Sequence, residues 1–200
     1  MNVNQLREIL ELAREGRKIE FKRAQLWDDA EFRAKVTKTV LAFSNVRDGG
    51  TMVIGVEEPS DGNFTFVGVD DGVLQTYSEE DVAAHVAEYA DPYAKFTLQK
   101  IPTDGKTFVV LEVAEFDDIP VICKKSGLCN LRKGALYTRS YRIPESVEVP
   151  SQVEMREILE IATEKKVRKY HEMQRRVAAP PVEAAASDDT KFATQLRKLP

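Results

Sequence analysis

The segment from Glu20 to Glu57 limits the fold of this chain more than any other. Lys18 to Arg23 alternates, with Ile19 and Phe21 apolar and Glu20 and Lys22 polar, which is the period of a half-buried strand. Asp28 or Asp29 can cap a following helix, whose apolar stripe is Phe32, Val36, Val40 and Phe43. Asn45 to Gly50 is a polar, Gly-ending exit, and Thr51 to Val56 reads as a buried strand. Strand, helix and strand in that order predict a mixed α/β domain.

The flanking chain fits that frame. Val3, Leu6, Ile9, Leu10 and Ala13 predict a first amphipathic helix ending near Gly16. Pro59, Asp61 and Gly62 predict a hairpin turn into Phe64–Val69, and Ser78 with Asp81 opens a helix to about Ala90. Lys95–Ile101 and Thr107–Val113 read as two strands joined by a Thr-Asp-Gly-Lys turn. Shorter strands are expected around Val121, over Cys129–Arg132 and over Ala135–Arg139. Ser151 and Glu154 form a capping box that opens a long helix through Val153, Ile158, Leu159, Ala162, Val167 and Tyr170. The expected class is α/β (α+β mixed): one domain over residues 1–177, with a mixed sheet flanked by helices and a long C-terminal helix. The Ala-, Pro- and Glu-rich residues 178–200 read as a disordered or tethering tail.

Composition narrows the setting. The 200 residues are 42% hydrophobic and 31% charged, as in an ordinary globular protein. Two cysteines, Cys123 and Cys129, make no disulfide framework and suit a reducing compartment. The N-terminus lacks the pattern of a signal peptide, and no run approaches eighteen uncharged apolar residues. The expectation is a cytoplasmic protein with no membrane partner. The net charge of −4 hides an asymmetry. Lys124, Lys125, Arg132, Lys133, Arg139 and Arg142 fall in a stretch, Val121–Pro144, that holds no acid. A second basic run occupies Thr163–Val177. Such local surplus, and not the net charge, decides binding to nucleic acid, although basic runs are as often solvated faces.

Glu20 and Lys22 project from one face of their strand, and Glu57 ends the Thr51–Val56 strand. If those strands are neighbours, Glu20, Lys22 and Glu57 converge, with Glu15 at the rim. Clustered carboxylates can supply oxygen ligands to Mg²⁺ or Mn²⁺, and the metal can activate water against a phosphodiester. Lys22 can neutralise charge on the phosphate. Equally, a Glu-x-Lys triplet is common in charged sequences and can be structural.

Two alternatives are poorly supported. The segment Asn45–Thr51 runs from a helix into a strand, whereas a phosphate-cradling loop runs from a strand into a helix N-terminus. Its glycines suit a tight turn needing positive φ. Zinc is not expected, because Cys123 and Cys129 have only His85 and His171 as further soft ligands, on distant segments.

Ile19-Glu20-Phe21-Lys22, Ala42-Phe43-Ser44-Asn45, Gly49-Gly50 and Ile54-Gly55-Val56-Glu57 resemble, in order and spacing, the Schlafen AlbA-type domain. Weaker similarity continues through Gly68, the Pro92 region, Ile119-Pro120 and Tyr137-Thr138-Arg139. The resemblance implies an α/β domain associated with nucleic acid, in a setting such as defence against foreign nucleic acid. In the family's nucleases three acids cut RNA, including transfer RNA, with a divalent metal. The resemblance carries those roles to Glu15, Glu20 and Glu57, with Mg²⁺ or Mn²⁺ as cofactor. The family's terminal Tyr-x-Arg-Gly-Ser is here Tyr137-Thr138-Arg139-Ser140-Tyr141. A single lobe of this kind needs a homodimer to form the two-lobed groove of the animal members.

Two functions therefore stand side by side. One is a metal-dependent endoribonuclease in which Glu15, Glu20, Glu57 and Lys22 act at the phosphate. The other is a non-catalytic DNA-binding or regulatory module. In both, Lys124, Lys125, Arg132, Lys133, Arg139 and Arg142 hold the backbone.

Overall fold

A computed structural model describes residues 1–58 and 63–178. The chain divides into two compact units, Met1–Ala162 and Thr163–Pro200. The expected turn at Pro59, Asp61 and Gly62 and the expected tail beyond Ala178 lie outside the described residues.

The first unit begins with helix α1 (Val3–Leu12). Its Asn2 cap and Gln5 exchange side-chain-to-backbone bonds in a full capping box. Leu6 and Leu10 are its buried residues. The helix ends before the expected Gly16, because Ala13 takes a left-handed conformation at φ 43°.

Strand β1 (Ile19–Lys22) follows, then α2 (Ala30–Ser44), capped by the Asp29 carboxylate on the Phe32 N–H. Strand β2 (Gly50–Ile54) returns beside β1 in parallel, pairing Glu20 with Met52 and Lys22 with Ile54. A parallel return requires a crossover of a dozen residues or more, and α2 supplies it. The long hairpin β6 (Phe96–Thr103) and β7 (Lys106–Val113) completes a mixed four-stranded sheet in the order β1-β2-β7-β6.

Smaller elements close the ends. They are β3 (Val56–Glu57), β4 (Thr65–Phe66), α3 (Asp71–Leu74), α4 (Glu79–Ala87), β5 (Ala90–Asp91), β8 (Ile122–Cys123), β9 (Tyr137–Arg139) and β10 (Ser146–Glu148). The expected Cys129–Arg132 strand is instead a turn, with Cys129 and Asn130 both at positive φ. Helix α5 (Gln152–Ala178) ends the described chain.

Each sheet face buries its own cluster, as alternation requires. Met52, Ile54, Val109 and Leu111 pack with Phe32, Val36, Val40 and Phe43 of α2, and Ile158 and Ile161 of α5 join this cluster. Phe21, Val53 and Val110 pack with Leu6 and Leu10 of α1 on the other face. Each such side chain contributes about 1.5–3 kcal/mol on burial. Trp27, the only tryptophan, is buried in the first cluster against Tyr77 and His85, with ring centroids 6.0 and 5.8 Å away.

Glycine is required at two places. Gly49 has φ 73°, and a Cβ there would lie 1.9 Å from the Val113 carbonyl oxygen. Gly55 has φ 112° and sits against the Gly68 backbone, where a Cβ would come within 2.9 Å. Gly55 also breaks the expected Thr51–Val56 strand into β2 and β3, which belong to different sheets.

Candidate functional site

Parallel register places Glu20 and Lys22 on the same sheet face as Met52 and Ile54, towards α2. Glu20 is only 7% exposed, so its charge requires partners. Lys22 donates to one carboxylate oxygen and Arg139 of β9 to the other. Arg139 is itself fully buried. It also donates to the Gly16 carbonyl at 3.1 Å and to the Ser146 hydroxyl at 3.4 Å, and its guanidinium lies 5.3 Å from the centre of the Phe43 ring. Its Nε is buried without a partner.

Glu15 lies behind β1, accepting the Phe21 N–H at 2.8 Å. Burial pushes its carboxyl above the ordinary range, and the Glu20 charge adds to the rise. The Phe21 N–H, Lys22 and Arg139 oppose it. Glu57 follows the Gly55 kink. Val56 packs in the α1-side cluster, so the adjacent Glu57 turns by alternation to the opposite face, where it is exposed.

Among the described residues no group of three or more His, Cys, Asp or Glu side chains is placed to hold a cation. The reason is visible at Glu20, whose two oxygens are each engaged by a cationic side chain. Glu15 directs an oxygen to the backbone of β1. Cys123 is buried and Cys129 partly so, both as free thiols.

Over Glu20 opens a cavity of about 200 Å³. Its lining comes from four segments: Glu20 and Lys22 of β1, Lys35, Lys38 and Thr39 of α2, Cys129 of the preceding loop, and Glu145 and Ser146 at the start of β10. Lys35 and Lys38 stand three residues apart, hence on one side of α2. Lys38 lies 5.4 Å from the centre of the Tyr137 ring, and the Ser146 hydroxyl donates to that of Thr39 at 3.3 Å. The lining thus holds three ammonium groups, two carboxylates and two hydroxyls, with Lys22 paired to Glu20 and Lys35 to Glu31 at 3.6 Å.

The loop at Cys129 brings the basic segment alongside. The Tyr137 hydroxyl accepts from the Arg132 N–H and donates to the Asn130 carbonyl, at 2.9 and 2.7 Å. Arg132 pairs with Glu148, whose carboxyl is held below its usual range first by that contact and also by Lys38. Lys125 pairs with Glu88 at 2.6 Å on the open surface. Lys124, Lys133 and Arg142 are exposed. Arg139 is the correction. Expected at the nucleic-acid surface, it lies in the interior because buried Glu20 needs a counter-charge.

Lys35, Lys38, Thr39 and Ser146 were not singled out from sequence. Lys35 and Lys38 fall between the apolar positions of α2, where lysine is ordinary, and Lys35 pairs with Glu31 of the same helix; only the return of β10 brings Glu145 and Ser146 to them.

No curated protein matches the chain. Among solved structures, it is similar to the N-terminal domain of a RecG-related protein from Nitrosomonas europaea, named for an ATP-dependent DNA helicase. Identity is 26% and the TM-score 0.49, covering 76% of this chain and 98% of that one. It is also similar to the DIP2311 protein of Corynebacterium diphtheriae, at 15% identity and a TM-score of 0.47, covering 74% of this chain and 26% of that one. The family model for Schlafen, AlbA_2 matches residues 15–141, the span that holds β1, α2, β2 and most of the cleft. The chain belongs to the Schlafen AlbA_2 family.

Proposed function

We propose that this protein is a nucleic-acid-binding module that holds the phosphate backbone over the β1–α2 cleft. One observation carries the reading: Lys22, Lys35 and Lys38 converge on a cavity whose buried carboxylate is already neutralised. The exposed Lys124, Arg132 and Lys133 extend that surface through the Cys129 loop.

Phosphate contacts give affinity without sequence information, and each releases counterions. Binding to a single-stranded RNA or DNA oligonucleotide is therefore expected to weaken steeply with salt. Lys35→Ala with Lys38→Ala reduces the logarithmic salt slope by roughly 1.4, at about 0.7 per contact. A flat salt response, or a slope unchanged by the double substitution, would count against the cleft as the binding surface.

Binding without cleavage is the reading that the geometry supports best, because Glu20 is occupied by Lys22 and Arg139. Incubation with transfer RNA and Mn²⁺ is expected to leave the RNA intact for wild type and Glu20→Gln alike. Cutting by wild type that Glu20→Gln abolishes would establish the nuclease instead.

A further inference from the structure

We infer that α5 beyond Ala162 is a self-association surface, pairing with the same stretch of a second copy of this chain as a short parallel coiled coil. The inference goes beyond the nucleic-acid reading and does not depend on it.

Spacing is the first support. Val167, Tyr170, Gln174 and Val177 recur at intervals of three, four and three, the 3.5-residue repeat of two helices wound together. Val167 is 49% exposed, Tyr170 53% and Val177 82%, and Met173 beside them, at 55%, widens the stripe. Every residue from Lys166 to Val177 is exposed, so this length of helix has no packed face of its own. A helix this short is marginal in water and takes most of its stability from packing an amphipathic face.

Charge selects the occupant. The Thr163–Val177 stretch carries six bases against Glu164 and Glu172, and bases bordering the stripe would repel a second copy. The repeat keeps them off it. With Val167 and Gln174 at its a positions, Lys165, Arg168, Lys169, Arg175 and Arg176 fall at b, c and f, on the outer side. The e and g positions that flank the seam hold Glu164, Lys166, His171 and Met173, one acid against one base. An acidic partner would be drawn to the outer bases; a seam this close to neutral suits its own copy.

Gln174 sets the direction. Its amide donates to the Tyr170 hydroxyl at 2.8 Å, one turn back along the seam. A second N–H and a carbonyl oxygen remain to the amide. In a parallel pair each Gln174 meets its counterpart, and the two amides can satisfy one another. A polar residue at a single a position fixes register in this way, at a cost in stability. Two heptads bury little area, so the pairing is weak and shows at high concentration.

The test is sedimentation equilibrium of the full chain from about 10 µM to about 1 mM. The mass is expected to rise from monomer towards dimer. Tyr170→Glu with Val177→Glu weakens association at least about tenfold, because two apolar seam positions become charged. Arg175→Glu, on the outer side, leaves it within about threefold. Gln174→Glu and Gln174→Lys each weaken association alone, and an equimolar mixture of the two variants regains it, which a misfolded chain could not do. A monomer at every concentration overturns the pairing. A dimer indifferent to Tyr170→Glu with Val177→Glu places the contact elsewhere and overturns it too. Failure of the mixture to regain association overturns the parallel register.

Discussion

Arg139 looks from sequence like a surface residue and serves as the counter-ion of the interior. It is fully buried, and it answers for Glu20, the Gly16 carbonyl and the Ser146 hydroxyl at once. Removing one partner of a buried pair strands the other, at a cost of about 3–5 kcal/mol. Arg139→Met is expected to lower stability by that amount in urea denaturation, and adding Glu20→Gln to recover part of it. Glu15 gives the opposite sign. Its folded-state carboxyl sits above the unfolded value, so ionisation at neutral pH works against the fold. Wild type gains stability as pH falls from neutral through that raised value, and the gain is complete below the ordinary Glu value of about 4.3. Glu15→Gln keeps an oxygen for the Phe21 N–H. It is therefore expected to be more stable than wild type at pH 7, and the difference should vanish near pH 4 in paired thermal melts.

At the scale of elements, period and capping were legible and short pairings were not. The alternation of Ile19–Lys22, the Asp29 cap and the β6–β7 turn appear where local chemistry puts them. Strands of two or three residues, such as β5 and β10, contain too little chain to show a period. The Gly55 break was hidden in an apolar run. Without it, Glu57 would keep the parity of Val53 and point to the α1 side; the kink resets the alternation. The acids and Lys22 of the site were thus visible as residues, but their partners belong to β9 and β10, far along the chain. Asn45, read from sequence as a helix exit and as the end of the Ala42–Asn45 motif, ties α2 to the chain entering β8 and to β9. Its amide donates to the carbonyls of Leu41, Val121 and Tyr137 and accepts the Val121 N–H. Asn45→Ala leaves several buried backbone groups unpaired, at roughly 1–3 kcal/mol for each. A loss of about 3 kcal/mol or more by chemical denaturation is expected; a loss under about 1 would show that water replaces the amide.

Across the whole molecule, a net charge of −4 coexists with a cationic cleft. Glu145 is the exposed carboxylate in that lining, and an exposed charge pair is worth about 0.2–1 kcal/mol. Glu145→Gln is expected to tighten anion binding up to about fivefold at low salt, with the effect fading as salt rises. An unchanged affinity at low salt would remove Glu145 from the rim of the binding surface.

The solitary indole of Trp27 is a built-in optical probe, and its place determines what it can report. It lies in the first unit, so its emission follows the melting of the α2-side core and is blind to fraying of α5 beyond Ala162. Far-ultraviolet dichroism at the helix band sees both. A dichroism transition that precedes the fluorescence transition would resolve the two units as separate cooperative blocks. The His85 ring, edge-on to the indole, adds a second signal. Its protonation is pushed to the acid side of the ordinary value of about 6.5 by burial and then by the Arg33 charge. A change in emission in mildly acidic buffer would therefore record that proton while the core is still folded.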